Sequence, residues 1–221
     1  MATIYGKSYQ VVYYGAPGPY DNVVDNLVGT PSNDFIYALG GDDHVSGGGG
    51  NDYIDGGRGA DILKGGPGSD TFAFKFGEST KDHPDTIEDF LHLGWNSTGM
   101  FGGSAGMGGD HIAAAVAGTD NNYLEVDIRT IAQTYGLKTD TLQDKMTLAG
   151  LYFAKENLHD GTGLRYLFGT DGTDGYLVAD LDGNGLMDSA LILKGASSLG
   201  SFDWRDIIRD TNPGPHADPT R

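Results

Sequence analysis

Aspartate recurs every nine residues in the first third of the chain, and this period constrains the fold more than any other feature. An apolar residue stands two positions after each of these aspartates, and glycine stands two positions before four of the five. The units 47–55, 56–64 and 65–73 read G-G-x-G-x-D-x-U-x in full, where U is a large apolar residue, and two less regular units begin at Gly29 and Ala38. The repeat aspartates are Asp34, Asp43, Asp52, Asp61 and Asp70.

The repeat predicts a parallel β-helix in which six residues of each unit form a turn and three form a short strand. Glycine allows positive φ in the turns and lets the backbone approach an ion closely. Because two units complete one coil, the aspartates alternate between two edges of the solenoid. A Gly/Asp-rich linker is the alternative, but the in-phase apolar residues argue against it. We expect Asp34, Asp52 and Asp70 along one edge, and Asp25, Asp43 and Asp61 along the other.

Stacked carboxylates at these edges predict a bound cation. At a strand spacing of about 4.8 Å, like charges repel unless a cation lies between them. Carboxylate and peptide carbonyl oxygens suit calcium, which takes six to eight oxygen ligands. Zinc would require histidine and cysteine ligands, which the repeat loops do not offer. The sequence therefore predicts several calcium ions as the cofactor.

Composition excludes several classes of partner. The formal net charge of −17 and the pI near 4.4 argue against binding to nucleic acid or to an anionic membrane surface. The lack of cysteine excludes disulfides and thiol nucleophiles. No run of apolar residues is long enough to predict a membrane span. The first 15 residues lack the basic and apolar regions of a signal peptide, so we expect any export to proceed without a cleaved N-terminal signal.

The flanking segments predict further elements. Residues 1–28 are expected to form an N-terminal cap that contains a strand at 10–14, and the β-roll is expected to span residues 29–93. Residues 94–163 form an insertion, in which Asp127 and Gly136 bound one helix and residues 141–157 hold a second, with Leu142, Met146, Ala149 and Phe153 on one face. Residues 164–208 form a C-terminal β region with strands at 164–168, 175–179, 189–193 and 206–208, and residues 209–221 form a flexible tail.

The sequence resembles the RTX family of calcium-binding secreted bacterial proteins, and more narrowly the C-terminal domain of serralysin-type metalloproteases. The resemblance rests on the nonapeptides of 29–73, Asp70-Thr-Phe-Ala-Phe74, Asp85-Thr-Ile-Glu-Asp-Phe90 and the region 175–208. It covers residues 29–93 and 164–208. It implies an all-β-dominated fold: a parallel β-roll (β-helix) solenoid with a serralysin C-terminal-like β-sandwich extension and one or two short helices in an insertion.

The resemblance also implies calcium between successive loops and export by a type I secretion machinery that reads an uncleaved C-terminal signal. Family members usually end on a hydrophobic closing motif, whereas residues 209–221 follow it here, so that signal is internal by a few residues or altered. The implied ligands include the five repeat aspartates, and Glu78 and Asp85 resemble the residues that close the last site. The implied carbonyl ligands are those of Gly41, Gly48, Gly50, Gly57, Gly59, Gly66 and Gly68.

A second kind of calcium loop lies near the C-terminus. Asp180, Asp182, Asn184 and Asp188 occupy positions 1, 3, 5 and 9 of such a loop, but position 12 is Leu191, which offers no carboxylate. The segment is therefore either an isolated ion site or a tight hairpin. These four residues and Asp25 are the weaker metal candidates.

Catalytic motifs give little support for an enzyme. No H-E-x-x-H occurs, so the protease half of the resemblance is missing. The segment 102–106 matches G-x-S-x-G, but it lacks the preceding strand and following helix that make such a serine reactive. We therefore predict no catalytic residues.

The sequence favours a secreted calcium-binding β-roll protein whose folding is driven by extracellular calcium. We expect an accessory binding or adhesion-type protein that recognises a polysaccharide or a cell-surface ligand through residues 94–163. One alternative is a calcium-triggered autoprocessing module, with cleavage at Asp218–Pro219, or a glycan-active enzyme module. A purely structural module for secretion or matrix assembly is the other alternative.

Overall fold

A computed structural model describes residues 10–13, 24–92, 109–119, 122–160 and 163–212. These residues form two β-sheets and two α-helices, α1 (Ile128–Tyr135) and α2 (Leu142–Asp160). The segment 102–106 and the bond Asp218–Pro219 lie outside the described residues. The strands are β1 (Gln10–Tyr13), β2 (Asn26–Val28), β3 (Asp34–Tyr37), β4 (His44–Ser46), β5 (Tyr53–Asp55), β6 (Ile62–Lys64), β7 (Thr71–Phe74), β8 (Asp85–Ile87), β9 (His111–Ala114), β10 (Tyr123–Asp127), β11 (Tyr166–Thr170), β12 (Gly175–Ala179), β13 (Ser189–Leu193) and β14 (Ile207–Arg209).

Successive repeat strands enter the two sheets alternately. Sheet A has the order β1-β3-β5-β7-β9-β14, and sheet B has the order β10-β11-β12-β13-β8-β6-β4-β2. Neighbouring repeat strands are parallel, and their registers pair Ile36 with Ile54 and Val45 with Leu63, each 18 residues apart. Two nonapeptides therefore complete one coil, and the predicted parallel β-roll is confirmed.

The apolar position of each repeat fills the space between the sheets. Ile36, Ile54 and Phe72 from sheet A are fully buried in one cluster with Val45 and Leu63 from sheet B. Each three-residue strand turns only its central side chain inward, because side chains alternate along a strand. The core of the roll is consequently narrow: each three-residue repeat strand supplies one large residue to it, whereas β7 supplies both Phe72 and Phe74.

The strands after the repeats extend the same two sheets. β8 pairs in parallel with both β6 and β13, and the antiparallel strands β13, β12 and β11 continue sheet B. β9 joins β7 to β14 in sheet A. Phe168 and Phe202 belong to the cluster that contains Ile36 and Phe72, so the described C-terminal strands and the repeats share one core.

The helices cover part of the outer face of sheet B. Asp127 accepts a hydrogen bond from the backbone N–H of Arg129, and Gly136 ends α1 in the left-handed conformation, as predicted.

The second helix is not short, because α2 has 19 residues and passes through Gly150. A Cβ atom at residue 150 would lie 3.1 Å from the Cε atom of Met187. The absence of a side chain at Gly150 therefore permits close packing between α2 and Met187. No helix of the described segments is long and apolar enough to cross a membrane.

The expected apolar face of the second helix is only partly right. Met146, Ala149 and Phe153 are buried against α1 and sheet B. Leu142 is exposed, because it is the first residue of α2. The helical period therefore identifies the buried face within the helix, but not at its first residue.

Residues 210–212 follow β14 and lie against the outer face of sheet A. Arg209 is the last residue of β14, and the N–H of Asp210 donates to the carbonyl of Ala114 at 2.7 Å. Tyr53 donates to the carboxylate of Asp210 at 3.1 Å, and the side-chain amide of Asn212 donates to the Tyr37 hydroxyl at 2.6 Å. Hydrogen bonding to the repeats thus continues past residue 208, where we expected a flexible tail to begin.

The repeat turns predict unequal effects for two adjacent alanine substitutions. Gly48 has φ of +103°, and a Cβ atom there would lie 2.2 Å from the carbonyl oxygen of Thr30. Gly49 does not have a positive φ. The atom nearest to a Cβ atom at this position would be the Cα atom of Pro31, at 3.8 Å. We expect Gly48→Ala to lower the free energy of unfolding by about 2 kcal/mol or more, and Gly49→Ala to change it by less than about 0.5 kcal/mol. Urea unfolding with calcium present measures both, and equal losses would contradict the assigned turn geometry.

Candidate metal centre

One row of aspartates runs along the loops that lead from sheet B to sheet A. The backbone N–H of each aspartate in this row, except the last, donates to the Oδ1 atom of the aspartate in the next coil. The distances are 2.8 Å from Asp34 to Asp52, 2.9 Å from Asp52 to Asp70, and 2.8 Å from Asp70 to Asp110. We call Asp34, Asp52, Asp70 and Asp110 the first ladder.

A second row runs along the loops that lead from sheet A to sheet B. Asp25 donates to Asp43 at 2.8 Å, Asp43 to Asp61 at 2.8 Å, and Asp61 to Asp85 at 3.0 Å, again from backbone N–H to Oδ1. We call Asp25, Asp43, Asp61 and Asp85 the second ladder. The structure therefore places the repeat aspartates on alternate edges, in the order that the nonapeptide period predicts.

Asp110 is the ladder residue that the sequence reasoning missed. It follows Asp70 by 40 residues, so it lies outside the nine-residue phase. It joins the ladder because β9 pairs with β7, with His111 opposite Thr71. A usable signal was present, because Asp110-His-Ile112 repeats the spacing of an aspartate two positions before a buried apolar residue. Asp85-Thr-Ile87 shows the same spacing.

Several ladder carboxylates keep one buried oxygen that receives no hydrogen bond. These atoms include Oδ1 of Asp34 and Oδ2 of Asp52, Asp61 and Asp70. A buried carboxylate oxygen without a hydrogen bond or a counter-charge is costly. A cation at the ladder edge would remove this cost, so the residues present fit a bound metal ion.

Backbone carbonyls approach the same oxygens. A Cβ atom on Gly47 would lie 2.3 Å from Oδ2 of Asp52 and 2.7 Å from the carbonyl oxygen of Gly65 in the next coil. A carboxylate oxygen and a carbonyl oxygen therefore border one small space. Calcium prefers oxygen ligands of this kind, so the space suits a calcium ion. The glycines expected to supply carbonyl ligands all have positive φ: Gly41, Gly48, Gly50, Gly57, Gly59, Gly66 and Gly68. Their role as ligands stays a prediction.

Leu39 shows how strictly the turn conformation is imposed. It takes the second position of its unit, where the three regular units have glycine, and it has φ of +80°. Such a conformation costs a non-glycine residue about 1–3 kcal/mol. The carbonyl oxygen of Leu39 lies 2.2 Å from the Cβ position of Gly57 in the next coil. The backbone thus keeps the shape of the repeat even where its sequence departs from it.

Burial changes the acidity of the ladder carboxyls. Together with a smaller contribution from neighbouring carboxylates, it raises the pKa of Asp52 and Asp70 to about 6. It raises the pKa of Asp61 and Asp110 to about 7 in the same way. The pKa of Asp85 is also well above its ordinary value, first because of burial and then because of Asp61. Without a metal ion, the ladders therefore favour bound protons.

Glu78 and Asp85 have different surroundings. Asp85 is buried in the second ladder, and its N–H donates to the Ser79 hydroxyl at 2.7 Å. Glu78 is half-buried after β7, where burial and the Asp55 carboxylate raise its pKa to about 7. It lines an open cleft of about 520 Å³ together with Arg58 and His83. That these two residues close the last site of the second ladder remains a prediction.

The hairpin between β12 and β13 brings three carboxylates together but satisfies most of their oxygens internally. Ligand atoms of Asp180, Asp182 and Asp188 lie within 4.8 Å of one another. Asp180 accepts from the N–H groups of residues 183, 184 and 185, and Asp188 accepts from those of residues 181 and 182. Asn184 donates its side-chain amide to Asp182 at 3.0 Å. This internal bonding is typical of a tight turn, and an ion there stays the weaker prediction.

A comparison with protein-family models agrees with the repeat pattern. A family model described as the RTX calcium-binding nonapeptide repeat (4 copies) matches residues 21–54 and 46–78. These residues are RTX repeats, which confirms the resemblance, and calcium is the metal that such repeats imply. No curated protein matches the chain.

Two solved structures are similar in outline. The solution structure of the AlgE6R3 subunit from the Azotobacter vinelandii mannuronan C5-epimerase is 21% identical, with a TM-score of 0.43, over 94% of this chain and 91% of that one. The AlgE6R2 subunit of the same enzyme is 22% identical, with a TM-score of 0.42, over 87% of this chain and 91% of that one.

The raised pKa values predict that the calcium-free fold is more stable in acid. The folded ladders release protons near pH 6–7, whereas unfolded aspartates release them near pH 4. Between these values the folded state binds more protons, so its free energy of unfolding falls as pH rises. We expect the calcium-free chain to contain more β-structure at pH 5.5 than at pH 7.5, where the ladder carboxyls lose their protons.

Calcium should remove or reverse this trend, because it binds the deprotonated carboxylates. Circular dichroism spectra recorded across this pH range, with and without calcium, measure both dependences. A calcium-free β-structure content that rises between pH 5.5 and pH 7.5 would contradict the assigned environment of the ladders.

Proposed function

We propose that this chain is a secreted calcium-binding β-roll protein whose folding is driven by extracellular calcium. The observation that carries the proposal is the set of fully buried ladder carboxylate oxygens that receive no hydrogen bond, among them Oδ2 of Asp52, Asp61 and Asp70. The matching RTX calcium-binding repeats support calcium as the ion.

The charges around the ladders support the same dependence. The ion pairs of the described residues use other carboxylates, for example Lys75 with Asp55, Lys145 with Asp171 and Lys194 with Asp174. None of these described pairs involves Asp52, Asp61 or Asp70. At neutral pH the ladders therefore depend on an added cation to offset their mutual repulsion.

Calcium concentration then controls folding. Each ion that binds only the folded state adds RT ln(1 + [Ca²⁺]/Kd) to stability, which is small in a low-calcium cytoplasm and large at extracellular millimolar concentrations. A chain that stays unfolded until it meets extracellular calcium is compatible with export in the unfolded state. This is the basis on which we propose a type I secretion route and an extracellular location.

For the biological role we propose binding to a polysaccharide or cell-surface ligand through the helical part of 94–163. A cleft of about 230 Å³ between α1 and α2 is lined by apolar side chains and by Tyr135 and Tyr152. Tyr135 is 49% exposed and Leu151 is 58% exposed, while the Lys155 ammonium lies 5.2 Å from the Tyr152 ring centre. Exposed apolar groups with a polar rim mark interaction sites, and tyrosine offers both an apolar face and a hydroxyl.

We expect chelator-treated protein at pH 7.5 to change cooperatively from coil to β-structure when calcium is added, and not with magnesium. Circular dichroism measures the transition. Asp52→Asn should raise the calcium midpoint about tenfold, because it removes a buried ligand charge between two stacked loops. Asp25→Asn is the matched control, since Asp25 is half-exposed at the end of the second ladder, and its midpoint should stay near that of the wild type. A protein already folded without calcium, or equal midpoints for the two variants, would refute the proposal.

A glycan array with the calcium-loaded protein tests the binding role. If a glycan is bound, Tyr152→Ala should weaken binding about tenfold without changing the circular dichroism spectrum. Leu199→Ala is the control, because Leu199 is 51% exposed and does not line the cleft. No bound glycan, or equal weakening by both variants, would favour the purely structural alternative.

A further inference from the structure

Both helices contribute a regular surface to the cleft for which we propose glycan binding. Ile131 and Tyr135, which are four residues apart, line it from α1. The residues that line it from α2 also recur three and four positions apart, and so share one face of that helix: Leu148, Leu151, Tyr152 and Lys155. The cleft is therefore formed mainly by two helical surfaces.

The floor of the cleft is apolar and the rim is open to solvent. Ile131 and Leu148 are buried in the core cluster that joins the helices to sheet B. Leu137 and Leu151 also line the cleft, but both are exposed. A concave apolar surface with a few polar groups is typical of a small-molecule binding site.

The polar groups of the cleft meet at Lys155. Its ammonium lies 5.2 Å from the ring centre of Tyr152. Hydrogen bonds with Tyr135 and Glu156 raise the pKa of Lys155, and its Nζ atom lies 3.3 Å from the Oε1 atom of Glu156. The two tyrosines consequently share one end of the cleft with an ammonium group whose charge is balanced by Glu156.

These charges favour a neutral ligand. The net charge of −17 repels glycans that are built from uronic acids or carry sulfate groups. Because Lys155 is paired with Glu156, it supplies little net positive charge to attract a carboxylate. A cationic amino sugar would find no carboxylate among the described residues that line the cleft.

The apolar floor favours a sugar that carries a methyl group. A sugar hydroxyl against Ile131 and Leu148 would lose its hydrogen bonds with water without gaining others, which costs free energy. An N-acetyl substituent instead offers a methyl group to this floor. Its N–H and C=O groups match the hydroxyls of Tyr135 and Tyr152, which can donate and accept hydrogen bonds. The tyrosine rings also offer apolar faces for the sugar ring.

The volume of the cleft limits how much of a glycan it buries. The cleft measures about 230 Å³, which is below the roughly 300–1,000 Å³ of pockets that enclose a drug-sized ligand. It therefore takes a single sugar residue, while the rest of the glycan stays in solvent.

We propose that this cleft binds one neutral, N-acetylated sugar residue, with the acetyl methyl group against Ile131 and Leu148. The polar atoms of the acetamido group lie at Tyr135 and Tyr152. This inference rests on the proposed glycan-binding role and names the class of sugar that the site takes. Its recognition chemistry is separate from that of the ladder carboxylates.

Calorimetric titration of the full, calcium-loaded chain with four trisaccharides tests the sugar class. The probes are the β-1,4-linked trimers of N-acetylglucosamine, glucosamine and glucose, and a trimer of a uronic acid. We expect the N-acetylglucosamine trimer to bind at least about tenfold more tightly than the glucose trimer, because one apolar group in an apolar pocket changes affinity by this order. The glucosamine and uronic acid trimers should bind no better than the glucose trimer.

Two variants test where the sugar binds. Tyr135→Phe removes one hydroxyl and keeps the ring, so we expect it to weaken binding of the acetylated trimer about fivefold without changing the circular dichroism spectrum. Leu142→Ala is the matched control, because Leu142 is an exposed residue of α2 that does not line the cleft. Its affinity should equal that of the wild type.

The outcomes separate this inference from the proposed function. A wild type that binds neither an array glycan nor any trimer overturns the glycan-binding role and this inference with it, whereas the calcium-driven folding is tested independently. A wild type that binds glycans without an N-acetyl group as tightly as acetylated ones overturns only the sugar class. Selective binding of the acetylated trimer that is unchanged in Tyr135→Phe overturns the assigned site.

Discussion

The hydrogen bond from the N–H of a ladder aspartate to the carboxylate of the next coil determines both the register of the coils and their need for a metal ion. It uses one carboxylate oxygen to set the register between coils, as between Asp34 and Asp52. In Asp52 the other oxygen is left buried and without a donor. The same side chain thus defines the coil geometry and creates a charge that the coil cannot neutralise. Fold and metal requirement are consequently inseparable in the repeats.

Much of this arrangement is encoded locally and could be predicted. The nine-residue period predicted the parallel roll and the alternation of the ladders, and the capping residues Asp127 and Gly136 predicted both ends of α1. Asp110 could not be found from that period, because the pairing of β9 with β7 brings it against the N–H of Asp70. The exposure of Leu142 also depends on what the first turn of α2 contacts. Local patterns therefore predicted the repeating part, and tertiary pairing determined how it ends.

The two kinds of acidic site show that proximity of carboxylates is not the deciding property. In the hairpin 180–188, Asp180 is buried, but three backbone N–H groups bind its oxygens. In the ladders, Asp70 is equally buried, and only one of its oxygens receives a hydrogen bond. The first arrangement is stable as a turn without an ion, because its charge is solvated by the backbone. The second arrangement is stable at neutral pH only when a bound cation offsets its negative charge.

The hydrogen bond between Asn212 and Tyr37 joins residues that are 175 positions apart in the sequence. Tyr53 and Asp210 make a similar connection across 157 positions. Contacts of this separation raise the contact order, and loop-closure entropy makes such contacts slow to form. The repeats can coil through contacts 18 residues apart, whereas the outer face of sheet A is completed only after residues 210–212 arrive. Assembly is thus expected to occur in two kinetic phases, with local coiling first and closure of this face last.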